Sequence, residues 1–286
     1  MMSRHEGVTR FLFEALDIRG AVVQLGPVWQ QICAQRSYPA NVQSMLGQMC
    51  AVTAVIAANL KQTGRLTFQL SGHGPLSMLV IDCSEDLNLR AYARHETPIP
   101  AEASPAELFA DGRLLMSLEA ENARQPYQSY VPIEGDSIAA IFEHYLAQSE
   151  QQPASLFLFA DQHSASGLFL QKLPGADLRD LDGWNRVQQL AATVKPEELA
   201  GLDAATLLSR LFAEEDVRMY EPRALRHDFP ADRGKIDAML RSLGEAEIRR
   251  IVAEQGEVLI EDELSNHRYH YTPEQALALF TAPTLH

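Results

Sequence analysis

Two hydrophobic periods alternate along roughly the first 175 residues, and together they leave few folds open to this chain. Between Asn41 and Lys61, the residues Val42, Met45, Leu46, Met49, Val52, Ile56 and Leu60 recur at steps of three and four, which predicts one long helix. The period then drops to two. Leu66, Phe68 and Leu70 alternate before the turn signal Gly72-His73-Gly74-Pro75, and Leu76–Ile81 resumes as a nearly continuous apolar strand. Further strands are predicted over Leu87–Arg94, Arg113–Glu119, Ser155–Ala160 and Gly167–Lys172. Asp136–Gln148 reads as a helix with Asp136 at its N-cap. Helices that must bury a stripe, set among strands that must bury a face, predict an α+β core. In it, helices pack on a large, mostly antiparallel sheet.

From Ala176 the pattern changes. Leu178, Leu181, Trp184, Val187, Leu190 and Val194 form a stripe at helical spacing, and Leu207, Leu208, Leu211 and Phe212 form another after a cap at Asp203. No strand signal returns until about Val258, so residues 176–225 are predicted to be a helical linker lying across the core. The remaining residues form a small unit. Ile236, Met239, Leu240 and Leu243 mark a helix stopped at Gly244, and Ile248, Ile251 and Val252 mark another stopped at Gly256. A hairpin follows, from Val258–Glu261 to Asn266–Tyr271, and Thr272-Pro273-Glu274-Gln275 opens a last helix with a capping box. The expected organisation is a core domain over 1–175, the linker over 176–225 and a C-terminal domain over 226–286.

The net charge of -14 repels polyanions and argues against a nucleic-acid partner. Arg4, Glu6, Arg10, Glu14 and Asp17 interrupt the N-terminal region, which therefore does not read as a signal peptide. The most apolar window, Cys50–Ala58, is too short to span a bilayer. A cytoplasmic protein with no membrane partner is expected. Cys33, Cys50 and Cys83 are isolated from one another in sequence and sit among apolar neighbours. They read as small buried hydrophobes rather than as a disulfide framework or a redox sensor.

Catalytic signatures are missing. No two glycines stand four apart, which excludes GxSxG, and neither GxGxxG nor GxxxxGK[ST] occurs. His95-Glu96 has no second histidine at HExxH spacing. The chain is therefore expected to work without ATP, without a cofactor and without catalysis. His73, between two glycines, reads as a turn residue. Met45, Met49, Met78 and Met116 read as core, although methionines also furnish adaptable binding surfaces.

Two segments carry a family resemblance. LFAEEDVR (211–218) and RSLGEAEIRRIVAEQGEV (241–258) resemble the C-terminal switch domain of the 33 kDa chaperonin family, the redox-regulated heat-shock holdases. DIRGAVVQLGPVWQQI (17–32) and MLGQMCAVTAVIAANLK (45–61) resemble the opening of the same chaperone core. The resemblance implies a holdase that binds unfolded or partly folded clients through apolar surface. It also implies a homodimer as a plausible state. In that family a Cys-x-Cys and a Cys-x-x-Cys pair hold zinc, and metal loss unfolds the C-terminal domain and frees the linker. The matching positions here are Phe229, Ala231, Asp262 and Ser265, so the resemblance implies a member without the zinc ligands.

His227, Asp228, Asp232, Asp262, His267 and His270 are ligand-type residues in that region, with Asp228 and Asp262 able to form only a weak oxygen site. His267 and His270 are three apart on a predicted strand and so point to opposite faces. Structural zinc contributes roughly 10–16 kcal/mol to small metal-nucleated units. Phe229, Leu259, Ile260 and Leu264 are expected to offset part of its loss, at roughly 1.5–3 kcal/mol for each buried side chain. Client-binding candidates are Leu178, Leu181, Trp184, Val187 and Leu190. An adaptor for one native partner, or an enzyme whose site follows no local motif, remains compatible with the residues alone.

Overall fold

The computed structural model describes residues 6–60, 64–96, 98–120 and 123–281. They divide into two compact units, one ending at His227 and the other beginning at Asp228.

The first unit opens with β1 (Gly7–Phe13), β2 (Ile18–Leu25), α1 (Pro27–Cys33) and α2 (Ala40–Asn59). Next come β3 (Gly64–Ser71), β4 (Leu76–Ser84), β5 (Leu89–His95), α3 (Pro105–Phe109), β6 (Arg113–Ala120) and β7 (Tyr127–Val131). After α4 (Ile138–Glu150), the strands β8 (Ala154–Ala160) and β9 (Ala165–Lys172) lead to α5 (Ala176–Arg179), α6 (Gly183–Ala191), α7 (Pro196–Gly201), α8 (Ala204–Leu211) and β10 (Val217–Met219). The anticipated large sheet is two five-stranded antiparallel sheets, ordered β10-β1-β2-β9-β8 and β5-β4-β3-β6-β7.

Helix α2 touches strands of both sheets. Of its stripe, Val42, Met45, Leu46, Met49 and Val52 are buried and Ile56 is half-buried; Cys50, Ala51, Ala54, Ala57 and Ala58 on its other sides are buried too. By length and composition this 20-residue helix is able to cross a membrane, which the Cys50–Ala58 window alone does not suggest; most of it is covered by the protein's own core. Gly47 is what lets α2 approach so closely: a Cβ there would lie 2.6 Å from that of Ala160 and 3.1 Å from the Trp29 ring. The helix ends at Asn59, and Lys61, its predicted end, lies outside the described residues.

Three local expectations are corrected. The N-cap of α4 is Ser137, whose hydroxyl accepts from the Ala140 amide at 3.1 Å, not Asp136. Met45, Met49 and Met116 are core, whereas Met78 is only half-buried. The segment after Ala176 is not helical throughout, because β10 adds to the edge of β1 with Phe11 opposite Met219. The chain then runs extended, pairing Val8 with Arg223 and Asn88 with Arg226.

The second unit holds α9 (Arg233–Leu243), α10 (Glu245–Gln255), β11 (Val258–Asp262), β12 (His267–Tyr271) and α11 (Pro273–Ala278). Gly244 (φ 89°) and Gly256 (φ 81°) end the two helices in a backbone region that glycine enters at no steric cost. Thr272 and Gln275 form the predicted capping box. Ile236, Leu240, Ile248, Val258, Tyr269, Tyr271 and Ala276 make the core of this unit.

Candidate functional site

The candidate residues fall in two places, each built from its own unit's residues. The first is the layer of connector helices. Strands β1, β2 and β9 present Phe11, Phe13, Ile18, Val22, Leu168 and Leu170 on one face of their sheet, and Val187, Ala191, Leu199, Leu207, Leu208, Leu211 and Phe212 cover them. Phe212 meets Phe13 edge-on with ring centroids 4.9 Å apart. Arg186 anchors α6 from outside, with Nε 2.7 Å from Glu215 and Nη1 3.0 Å from Asp180.

The predicted stripe does not dock as one face. Val187 is fully buried, and Trp184, Leu190 and Val194 are packed against the cluster and partly buried. Leu178 and Leu181 are instead 91% and 85% exposed. Helix α5 has only four residues, and Asp180 leaves it in an extended conformation (φ -153°) before α6 begins at Gly183. The three-residue step across that break therefore carries no common face. The result is two bare leucines beside a docked helix.

The second place is the zinc frame. Asp262 and Ser265 flank the hairpin turn, and the Asp262 carboxylate accepts from the Ser265 amide at 3.1 Å. Phe229 and Ala231 offer no side-chain donor, and the Phe229 carbonyl accepts from the His267 ring. His270 points away, its Nε2 2.6 Å from Glu257. His227 belongs to the first unit, where its Nδ1 donates to the Leu89 carbonyl at 2.8 Å. Among the described residues no three His, Cys, Asp or Glu side chains converge on a common point. A structural zinc is held by four Cys and His side chains in a tetrahedron, and the residues at the frame positions, with one carboxylate among them, do not fit it.

What holds this frame is aromatic. Tyr269 and Tyr271 lie two apart on β12 and are both buried. The Tyr269 hydroxyl accepts from the Asp232 amide at 3.0 Å, and the Tyr271 hydroxyl donates to Asp237 at 2.6 Å. Burial first, then the hydrogen bond to Asp237 and its charge, push the Tyr271 phenol up to about 12. Arg233 stacks 4.3 Å above the Tyr271 ring. The compensation expected from Phe229, Leu259, Ile260 and Leu264 is largely not there: only Ile260 packs on the core, and Leu259 is exposed. The tyrosine pair is what the sequence reading missed, although the alternation in HRYHY marks it.

All three thiols are shifted the same way. Burial pushes the Cys50 thiol well above its ordinary range and the Cys83 thiol up to about 12, with the Asp82 charge adding to the latter. Cys33, half-buried on α1, is raised by burial as well. The thiolate is the reactive species, and burial disfavours it at all three.

The fold is similar to that of a solved structure. The crystal structure of the 33 kDa chaperonin from Thermotoga maritima is similar to it with a TM-score of 0.76 at 19% identity, covering 96% of this chain and 98% of that one. Sequence carries the assignment further. The family model described as Hsp33 protein matches residues 6–272. The 33 kDa chaperonin of Chromobacterium violaceum is 38% identical over 280 residues, spanning 98% of this chain and 95% of the relative. That of Methylobacillus flagellatus is 38% identical over 274 residues, spanning 95% and 93%. The chain belongs to the Hsp33 family of heat-shock chaperones.

Proposed function

We propose that this protein is an ATP-independent holdase of the cytoplasm that binds unfolding proteins and works without the zinc and disulfide switch. The observation that carries this reading is the chemistry of the frame: Phe229, Ala231, Asp262 and Ser265 stand at the ligand positions, inside a unit closed by the Tyr269 and Tyr271 hydrogen bonds. Client binding is by apolar surface and involves no catalysis. Leu178 and Leu181 are open to a client at rest. Trp184, Val187 and Leu190 become available only when α6 lifts from the sheet, exposing a contiguous apolar patch of the kind that takes other apolar surfaces.

The test is light scattering from heat-denatured citrate synthase, with hydrogen peroxide and EDTA added separately. Suppression of aggregation is expected to be the same in all arms, and elemental analysis is expected to find far less than one zinc per chain. Replacing Cys33, Cys50 and Cys83 together by Ser should leave the peroxide response equally flat. In the native protein, Ellman's reagent should reach Cys33 at most, with Cys50 and Cys83 reacting only after denaturation. Peroxide activation lost in the triple variant, or bound zinc whose removal raises activity, would overturn this reading.

A further inference from the structure

The sheet edges of the first unit are treated unequally. On β5 four outward backbone groups have partners. The Leu89 amide donates to the Arg226 carbonyl at 2.8 Å, and the Leu89 carbonyl accepts from His227. Arg36 donates to the Ala91 carbonyl, and the Ala93 amide donates to the Tyr38 hydroxyl at 3.2 Å. On the β8 edge the Leu156 amide donates to Glu143 at 2.6 Å. Strand β10 has only three residues. Natural sheets blunt their edges in such ways, because an open edge is a template for another strand.

Strand β7 has no such partner among the described residues. It is the last strand of its sheet, and among the described residues no hydrogen bond reaches its outer backbone groups. Its sequence, YQSYV, contains no charge and no proline, although Pro126 and Pro132 bound it.

The phase of its hydrogen bonds follows from β5. Bonded and non-bonded pairs alternate along an antiparallel ladder, so a residue that faces one neighbour strand turns away from the other. Leu89, Ala91 and Ala93 face outward, so their partners Cys83, Ile81 and Leu79 on β4 bond to Leu66, Phe68 and Leu70 on β3. Leu118, Met116 and Leu114 on β6 then bond to Tyr127, Ser129 and Val131 on β7. That leaves the amides and carbonyls of Gln128 and Tyr130 aimed at the open edge. Tyr127 and Tyr130 are each 60% exposed, and a hollow of about 380 Å³ lies at the end of the strand, lined by Leu114, Val131, Pro132 and Ile133 with Arg113 and Tyr130.

We infer that β7 is a strand-addition site, and that it takes an extended segment of an unfolding client whose alternate side chains are apolar. The inference rests on the holdase reading and names where such a client is held. Main-chain pairing supplies affinity that is indifferent to client sequence, and the hollow accepts one apolar side chain. The edge is too small for a lasting partner. Five residues and one hollow fall well short of the roughly 1,000 Å² that a stable specific interface buries. A second copy of the chain is therefore the less favoured occupant.

The phase also supplies the test. A proline at Gln128 or Tyr130 removes an outward amide and no bond to β6, a placement edge strands tolerate. The probe is a fluorescein-labelled alternating valine–threonine heptapeptide, read by anisotropy with the full chain. The parent should bind it, and the double variant Gln128→Pro/Tyr130→Pro should bind about tenfold more weakly or worse, with its circular dichroism unchanged. A peptide N-methylated at alternate residues should fail on the parent, which keeps the test alive if the proline variant does not fold.

No peptide binding by the parent, or equal binding by the folded variant, overturns the site. So does a parent dimer that the variant converts to monomer while peptide binding is unchanged. Aggregation assays with citrate synthase separate the two levels: a parent that fails to suppress aggregation sinks the holdase reading. A parent and variant that suppress it equally sink only the edge.

Discussion

Replacing Val187 by Asp is expected to undock α6 and make the chaperone active at ordinary temperature. Val187 is fully buried in the cluster that joins the connector to β1, β2 and β9. Arg186 and Lys172 point elsewhere, to Glu215 with Asp180 and to Asp177, so neither is placed to neutralise the new carboxylate. An uncompensated buried charge costs about 3–5 kcal/mol. Each 1.4 kcal/mol is a factor of about ten in an equilibrium, so the undocked fraction should rise by about two to four orders of magnitude.

The main core around α2 is a separate cluster and should keep its cooperative melting. Dye binding to exposed apolar surface should rise, and suppression of citrate synthase aggregation should appear below the temperature at which the parent becomes active. Leu178→Asp is the control. Its side chain is already in water, so the same charge should leave docking unchanged and lower client binding only slightly. A Val187→Asp protein that binds the dye strongly and still fails to hold the client would mean that the connector face is not client surface.

The contrast between these two positions shows how far the sequence could be read. Spacing at steps of three and four identified α2 and α6 correctly, because a long helix imposes one face over many residues. It failed from Leu178 to Gly183, where one carboxylate, Asp180, accepts from Arg186 and from the Asp182 amide and breaks the helix axis. Strand β10 was invisible because three residues carry no period, and only its pairing with Phe11–Phe13 makes it a strand.

Strands β1 and β2 went unread for a different reason: both faces of β2 are buried, so its residues do not alternate. The frame of the C-terminal unit was legible down to its caps at Gly244, Gly256 and Thr272, since capping is local chemistry. What closes that frame was not. The partners of Tyr269 and Tyr271 are Asp232 and Asp237, more than thirty residues away, and no local pattern connects them.

Leu240→Ala should unfold the C-terminal unit while the first unit stays folded. Leu240 is fully buried at the centre of a core made of seven buried residues. Large-to-small substitutions at such sites cost about 2–5 kcal/mol. A single core in a domain this short rarely supplies more than about 3–5 kcal/mol, and this one has no metal ligands to add to it. The margin should therefore vanish. Hydrogen exchange should show fast exchange throughout α9, α10 and the hairpin, with α2 and its sheets still protected, as expected for a locally separable unit.

If loss of this unit is what triggers the chaperone, the variant should suppress citrate synthase aggregation at ordinary temperature, with no oxidant and no chelator. The parent should do so only on warming, as its own small margin is exhausted. The trigger would then be the stability of a tyrosine-closed core rather than the oxidation of thiols. A Leu240→Ala protein with an unfolded C-terminal unit and no gain in activity would break that link. Control of the client surface would then belong to the docking of Val187 and its neighbours alone.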